Sequence, residues 1–537
     1  MAVVSFYISD LQSKGIDIEL FKKLVWNVGM EVEHESGEEI SIDITPNRPD
    51  LLDFFGWVRL YKQMHGARFA YEVAKGNIEI KIDKKVKGIR PYIEALEVRN
   101  INLQGNLLTY LINFSEKLGE TYGRKRKELA FGIHDLAKVH GNLVYSAAKD
   151  GTIIPLGESK GMKFSEIIKN NDKGIEYAGA IENKRGLLPF LMDSEKVISL
   201  IPIINSELTR LSNSTESLLV DITGRSKNIV NDAAKILACS FIDQGAQVRL
   251  CNIEGKFMQM ERKSVKVSIK KANTLIGIKK EGRELAALLD KFGYSSAVYG
   301  SSIKTEVPLY RTDVMSSVDV IEDIGIAYGY ENIKQRPIPC DSCSGSEYEL
   351  AKKLEKISID MIGLGFTEAM NNYLAEDKKA EMAGMDIEKM IKLAESKVSF
   401  TSIRQALLPG LLNNISLSAH AKMPQRLFEI GSVFAIGSSG KIKEDINLAL
   451  ISVHSKANFS EAKIYMRAVL DLLGYKGYEI KECNSPTYIP GRQARIFYGG
   501  FEIGRFGEIS PQVLENFSIY EPAIAGEIAI FSDISYE

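Results

Sequence analysis

Four carboxylates, Asp313, Asp319, Glu322 and Asp323, crowd one short stretch of the chain. If that stretch is helical, positions 319, 322 and 323 share a face, where like charges one turn apart repel by ~0.2–0.5 kcal/mol per pair. Two readings stay open. Acidic side chains favour the positive N-terminal end of a helix, with Asp313 as its cap, or the carboxylate oxygens gather a hard cation such as Mg²⁺, which keeps several waters. A second metal-like spacing, Cys340-Asp341-Ser342-Cys343, lacks the further pair or nearby histidine that a four-ligand zinc site needs, so free thiols are expected. His134, in Gly132-Ile133-His134-Asp135, sits beside a carboxylate, and a structural hydrogen bond is its expected role. The basic run Tyr122-Gly123-Arg124-Lys125-Arg126-Lys127 suits a solvated loop or a phosphate contact. Pro202-Ile203-Ile204-Asn205-Ser206 and Val220-Asp221-Ile222-Thr223-Gly224 set polar side chains at the ends of apolar runs, where pockets are lined and where turns also form. No glycine-rich loop ends in Gly-Lys-Ser or Gly-Lys-Thr, which excludes phosphate binding by a P-loop.

These residues need elements to hold them. A chain of 537 residues suggests three or four domains. With 45% hydrophobic and 26% charged residues it reads as an ordinary packed protein, and a formal charge of -2 provides no global field toward nucleic acid. The best apolar run, Val197 to Ile204, is too short to span a membrane and holds Ser199 and Pro202. The first residues lack a basic leader, and five scattered cysteines argue against a disulfide framework, so a cytoplasmic location is expected. Ile40, Ile42 and Ile44 alternate as in a strand, and a turn at Pro46 to Pro49 leads to a helix with Asp50 as cap, Phe54, Val58, Tyr61 and Met64 on one face, and Gly66 as stop. From about 90 to 262, β-branched runs alternate with helical patterns such as Val230, Ala233, Leu237 and Phe241, giving an α+β domain. A compact unit at about 264 to 334 follows, with a strand near Val265, a helix through Leu285, Leu288 and Phe292, and a second helix from about Asp313. Residues 335 to 346 have linker composition. Beyond them, Leu350, Leu354, Ile357 and Met361 predict an amphipathic helix closed near Gly363 and Gly365, and strands dominate from 427 to 536.

Several motifs follow one another along the chain: Ile44-Thr45-Pro46-Asn47-Arg48-Pro49-Asp50-Leu51, Gly123-Arg124-Lys125-Arg126, Gly132-Ile133-His134-Asp135, Pro202-Ile203-Ile204-Asn205-Ser206, Asp221-Ile222-Thr223-Gly224, Val307-Pro308-Leu309-Tyr310-Arg311-Thr312-Asp313, Ile321-Glu322-Asp323-Ile324-Gly325-Ile326-Ala327-Tyr328-Gly329-Tyr330 and Ile489-Pro490-Gly491-Arg492. Taken in this order, they resemble the phenylalanyl-tRNA synthetase β-subunit family in its shorter archaeal and eukaryotic form. The resemblance implies a multidomain α+β chain: an N-terminal α/β domain over 1–88, an editing domain that hydrolyses misacylated tRNA over 89–262, a small helix-containing, nucleic-acid-binding-like module over 263–335, a linker at 336–347, and a class II synthetase-like antiparallel-sheet domain over 348–537. It implies Mg²⁺ at Asp313, Asp319, Glu322 and Asp323, ATP as a substrate of the complex, an α-subunit partner in a tetramer of two α and two β chains, and the tRNA for phenylalanine, with no membrane. Asn205, Ser206, Asp221 and Thr223 are the expected editing residues, followed by Arg124, His134 and Asp135. The last domain departs from a working class II site, which clamps ATP with an Arg-x-Glu strand and a later Glu-Arg pair: here Arg404 is followed by Gln405-Ala406, and Gly507-Glu508 by Ile509. A non-catalytic domain supporting the α subunit is therefore expected. The competing readings are a free-standing editing hydrolase and a non-enzymatic tRNA-binding scaffold.

Overall fold

The computed structural model describes residues 2–181, 186–335, 337, 345, 348–394, 399–437 and 440–531. Cys340 and Cys343, with most of the expected linker, lie outside the described residues. Two compact units divide the chain, Met1–Pro337 and Ile338–Glu537.

In the first unit Ile40, Ile42 and Ile44 form the strand Glu39–Ile44, the middle of an antiparallel sheet with Ala2–Tyr7 and Glu31–Glu35. The expected helix follows at Phe54–Met64, but its cap differs from the prediction: Asp53 accepts from the Gly56 N–H at 3.2 Å. Asp50 instead lies in the 3-10 turn Pro49–Leu52 and pairs with Arg48 and Arg59. A buried carboxylate gains more from two guanidinium groups than from one helix-end N–H. Burial pushes the Asp53 carboxyl from 3.8 up to about 6. Between about pH 4 and 6 the folded chain thus holds a proton that the unfolded chain has released, so stability falls as pH rises through that window, by ~3 kcal/mol in all. Asp53→Asn, still a good cap, should flatten that part of the stability–pH curve in urea titrations; an unchanged slope would show that Asp53 does not titrate there.

Nine strands make the large sheet, in the order Ile204–Asn205, Val197–Leu200, Leu188–Met192, Leu143–Ala148, Ala74–Ile82, Gln247–Ile253, Tyr92–Arg99, Ser217–Gly224 and Leu129–Asp135. Ala74–Ile82, ahead of the boundary expected at 88/89, runs parallel to both of its neighbours near the middle of this sheet. Parallel pairing joins segments far apart in sequence, and nothing local at Ala74 announces it. The predicted helix is Lys227–Asp243, which buries Val230, Ala233, Leu237 and Phe241 and is followed by Gly245 at φ 90°. A second helix, Leu107–Glu120, buries Tyr110, Leu111, Phe114 and Leu118.

The small module pairs Ser264–Ser268 and Ser295–Tyr299 with a central Ser302–Glu306. Its helices are Ile269–Ile276, Gly282–Asp290 and Ser317–Tyr328. The first turns Ile269, Ala272 and Ile276 to the core, and of these Ala272 is fully buried. The last is capped by Ser316 and not by Asp313: Ser316 Oγ accepts from the Val318 N–H at 3.3 Å while the Asp319 carboxylate accepts from the Ser316 N–H at 2.6 Å, a reciprocal capping box.

The second unit is built on a seven-stranded sheet ordered Thr367–Glu368, Gln425–Ile436, Ile442–Val453, Ala523–Phe531, Phe501–Ile509, Tyr488–Tyr498 and Glu479–Glu482. All pairings are antiparallel except that of Thr367–Glu368. The two-residue period sorts Ile442–Val453: Leu448 and Leu450 pack with Met361 and Met466 of the helices Glu349–Gly363 and Phe459–Leu472, while Ala449 and Ile451 pack with Leu411 and Leu412 of the helix Leu408–Leu417. Among the described residues no helix is long and apolar enough to cross a membrane.

Candidate functional site

The nine-stranded sheet curls until its edges approach: Asn205 Nδ2, on one edge, donates to the Ile133 carbonyl on the other at 3.4 Å. The curl and the helix Leu107–Glu120 enclose a cavity of about 550 Å³, within the range of small-molecule sites. Leu108, Ile112, Phe131, Ile133 and Ile201 make its apolar wall; Arg126, Ser199, Asn205, Ser206, Thr209, Asp221 and Thr223 supply the polar groups.

Asp221 and Thr223 are two apart on Ser217–Gly224 and so project to the same face. Asp221 is 1% exposed. Its Oδ2 meets His134 Nε2 at 3.0 Å, and His134 Nδ1 meets Thr209 Oγ1 at 2.8 Å. With Nε2–H donating to the carboxylate, Nδ1 accepts from the threonine hydroxyl. Asp221 Oδ1 has no hydrogen-bond partner among the described residues. A buried carboxylate oxygen left without a donor is costly, and Asp221 is one of the residues that line the cavity. Gly132 lies opposite Asp221 in register; a Cβ there would stand 1.9 Å from Asp221 Oδ2 and 2.7 Å from His134 Nε2. The glycine of Gly132-Ile133-His134-Asp135 is thus required by the carboxylate–imidazole pair.

Asn205 and Ser206 also line the cavity. Asn205 Oδ1 accepts from Ser199 Oγ at 3.0 Å, and Ser206 Oγ donates to the Ile154 carbonyl at 3.2 Å. The other candidates separate. His134 is fully buried behind Asp221, the structural hydrogen-bond role expected for it. Asp135 does not line the cavity: its oxygens accept from the Ala137 N–H at 3.2 Å and Thr215 Oγ1 at 3.1 Å, which ties a turn. Arg124 is exposed and away from the cavity wall; Arg126 takes its place, donating to the Pro202 and Ile203 carbonyls at 3.2 and 3.0 Å and stacking over the Tyr177 ring at 4.0 Å. The loop that carries it holds Arg124, Lys125 and Arg126 at φ 49°, 54° and 60°, a left-handed run that no local pattern suggests.

The four carboxylates of the small module do not form a single ligand set. Arg311 lies between two of them, with Nη2 2.7 Å from Asp313 Oδ2 and Nη1 2.8 Å from Asp323 Oδ2. Asp323 also accepts from Tyr294 O–H at 2.5 Å, and Asp319 is occupied by its capping box. Glu322 makes no ion pair among the described residues, and its carboxyl is pushed up by burial and by the like charges of Asp323 and Asp319. Among the described residues no group of three or more His, Cys, Asp or Glu side chains is placed to hold a metal ion. Carboxylate oxygens are the donors a hard cation takes, and Glu322 is the member of the cluster outside the Arg311 pairs and the capping box.

In the second unit a smaller cavity of about 220 Å³ is lined by Asn371, Glu376, Lys379, Phe400, Arg404, Gln405 and Asn413. Arg404 is spent internally: it pairs with Glu429, donates to the Ser432 and Asn371 carbonyls at 2.8 and 3.1 Å, and lies over the Tyr373 ring at 4.9 Å. Glu508 accepts from the Phe459 N–H at 2.7 Å and pairs with Arg492 at 2.8 Å. Neither is left to clamp a triphosphate.

Two family models match, and both describe modules of tRNA synthetases: the phenylalanyl tRNA synthetase beta chain CLM domain over residues 333–530 and the tRNA synthetase B5 domain over residues 265–330. The class of the chain is therefore that of an aminoacyl-tRNA synthetase component. A phenylalanine–tRNA ligase beta subunit of Archaeoglobus fulgidus is 32% identical over 98% of both chains, and that of Pyrococcus horikoshii is 33% identical over 90% of this chain and 89% of its own. The crystal structure of an N-terminal fragment of the phenylalanyl-tRNA synthetase beta subunit from Pyrococcus horikoshii superposes with a TM-score of 0.58 at 32% identity, covering 61% of this chain and 100% of the fragment. The chain belongs to the phenylalanine–tRNA ligase β-subunit family.

Proposed function

We propose that this chain works with a separate α chain to attach phenylalanine to its tRNA, and that its large cavity removes tyrosine wrongly attached to that tRNA. The observation that carries the editing reading is the buried, unpartnered Oδ1 of Asp221, a residue that lines the cavity. A tyrosyl hydroxyl would donate to it, whereas phenylalanine would leave it unpaired, and a site built on such a pair selects strongly. Hydrolysis needs only an oriented water and donors for the oxyanion, which fits a wall of hydroxyls and amides without a nucleophilic triad. The test is deacylation of tyrosyl-tRNA by the full chain with its α partner, compared with phenylalanyl-tRNA; equal rates on the two would sink the selectivity.

Synthesis itself is assigned to the α chain, with ATP consumed there. The chain alone should leave pyrophosphate exchange with phenylalanine and ATP at background, because Arg404 and Glu508 are already occupied within the fold. Robust exchange without α would overturn this. Two α and two β chains, in the cytoplasm, are the proposed assembly. A single β-sized peak of 59.8 kDa on gel filtration with α present would instead favour a free-standing hydrolase or a scaffold.

A magnesium ion at the small module would take Glu322 and Asp319 Oδ1, the oxygen outside the capping box, from this chain, and water or partner oxygens for the rest. Glu322→Gln leaves the Arg311 pairs intact, so it should lower Mg²⁺ retention and weaken association with α by a few-fold without unfolding the module. Equal retention in equilibrium dialysis would reduce the acidic cluster to helix capping and internal ion pairing.

A further inference from the structure

Arg90 approaches the cavity from behind. Its Nε donates to Thr223 Oγ1 at 3.0 Å and its Nη2 to the Thr223 carbonyl at 2.8 Å, while Nη1 donates to the Arg126 and Lys127 carbonyls, both at 3.0 Å. The residue is 2% exposed. Its partners are carbonyls and one hydroxyl, with no carboxylate at ion-pair distance among the described residues. Burial holds its pKa down at about 10, still well above neutrality, so the charge remains.

A hydroxyl has one hydrogen and two lone pairs. Arg90 occupies a lone pair of Thr223, and the threonine hydrogen finds no acceptor among the described residues. Thr223 is fully buried and lines the cavity, so the hydrogen has the cavity to donate into. Two residues earlier, about 7 Å along the strand, Asp221 presents an acceptor on the same face. The face thus offers one acceptor and one donor, spaced for a ligand with a hydroxyl at one end and a carbonyl at the other.

We propose that Arg90 is a positioning residue for ester hydrolysis at this site: it fixes the Thr223 hydroxyl as a donor and strengthens it toward the oxygen that becomes negative in the reaction. The proposal rests on the editing reading. Water adds its oxygen to the ester carbonyl carbon, and the carbonyl π pair moves onto the oxygen held by Thr223. Collapse restores the double bond and breaks the bond to the ribose oxygen, which takes up the proton that water lost; the free amino acid and the ribose hydroxyl leave. A cation donating to the hydroxyl polarises its O–H bond outward, and the donor is in place before the charge develops.

The test is single-turnover deacylation of tyrosyl-tRNA by the full chain with its α partner. Arg90→Met and Thr223→Val should each slow the step by about 30-fold at saturating tRNA, with the half-saturating concentration changed by less than about twofold. The double variant should be no slower than Thr223→Val, because both changes remove one relay. Arg90→Lys, which keeps a donor and the charge, should recover part of the rate. A wild-type rate in Arg90→Met, or losses that multiply in the double variant, overturns the relay. If Arg90→Met fails to fold, Thr223→Val, which leaves the Nη contacts in place, decides: a wild-type rate there overturns the proposal as well. A wild-type complex that leaves tyrosyl-tRNA intact overturns the editing reading itself, and the relay with it.

Discussion

Asp221→Ala should leave phenylalanine charging nearly intact while tyrosyl-tRNA accumulates, with deacylation slowed by about 10–100-fold. Two losses combine. The Oδ1 acceptor that would receive the tyrosyl hydroxyl disappears, and His134 Nε2, 3.0 Å from Oδ2, is left buried without its partner. Asp221→Asn separates them: an amide preserves the shape and can meet the imidazole, but a neutral acceptor holds a phenol more weakly, so an intermediate rate is expected. The variant should also discriminate less between tyrosyl- and phenylalanyl-tRNA. Full deacylation by Asp221→Ala, measured with tyrosyl-tRNA in excess of enzyme, would move the pocket elsewhere in the sheet. Gly132→Ala supports the same geometry from outside, since its methyl would displace the carboxylate; its effect should resemble that of Asp221→Ala.

The sequence made part of this site legible. Asn205, Ser206, Asp221 and Thr223 stand at the ends of apolar runs, where strands deliver polar groups, and all four line the cavity. Arg90 carries no comparable signal: it precedes Pro91 outside any recognisable motif, and its partner Thr223 is 133 positions away. Arg126 was hidden among four adjacent basic residues, and only the left-handed backbone of that loop decides which one turns inward. The helix caps differ from the expected ones for a related reason. Asp50 and Asp313 have the right residue type near a helix start, but each is claimed by a buried guanidinium, so Asp53 and Ser316 cap instead. The long amphipathic helices and the alternating strand Glu39–Ile44 needed no such information, because their periods are set locally. The central strand Ala74–Ile82 did, since its partners lie far along the chain.

Long-range ion pairing also predicts the largest stability effect. Arg59 is 2% exposed, pairs with Asp50 at 3.3 Å and with Asp243, and stacks over the Tyr310 ring at 3.6 Å. It thereby ties the helix Phe54–Met64 to the turn before it, to the last residue of Lys227–Asp243, and to the segment of the small module between the strand Ser302–Glu306 and the helix Ser317–Tyr328. Asp243 stands at the negative end of its helix, and burial already pushes its carboxyl up. Arg59→Met would leave Asp243 with Tyr71 O–H at 3.0 Å as its hydrogen-bond donor, and breaking a buried pair in this way costs about 3–5 kcal/mol. That is a large share of the ~5–15 kcal/mol that holds a typical domain. Both tryptophans, Trp26 and Trp57, belong to this unit, so their fluorescence in a urea titration follows it. The loss should shrink as pH is lowered, because an unpaired Asp243 has its folded pKa raised further and gains stability wherever it holds a proton that the unfolded chain has released. Asp243→Asn in the Arg59→Met background removes the stranded charge and should recover part of the stability, so the double variant should stand above Arg59→Met alone. A midpoint in Arg59→Met equal to wild type, or a double variant no more stable than the single, would mean that the Arg59–Asp243 pair adds nothing to stability.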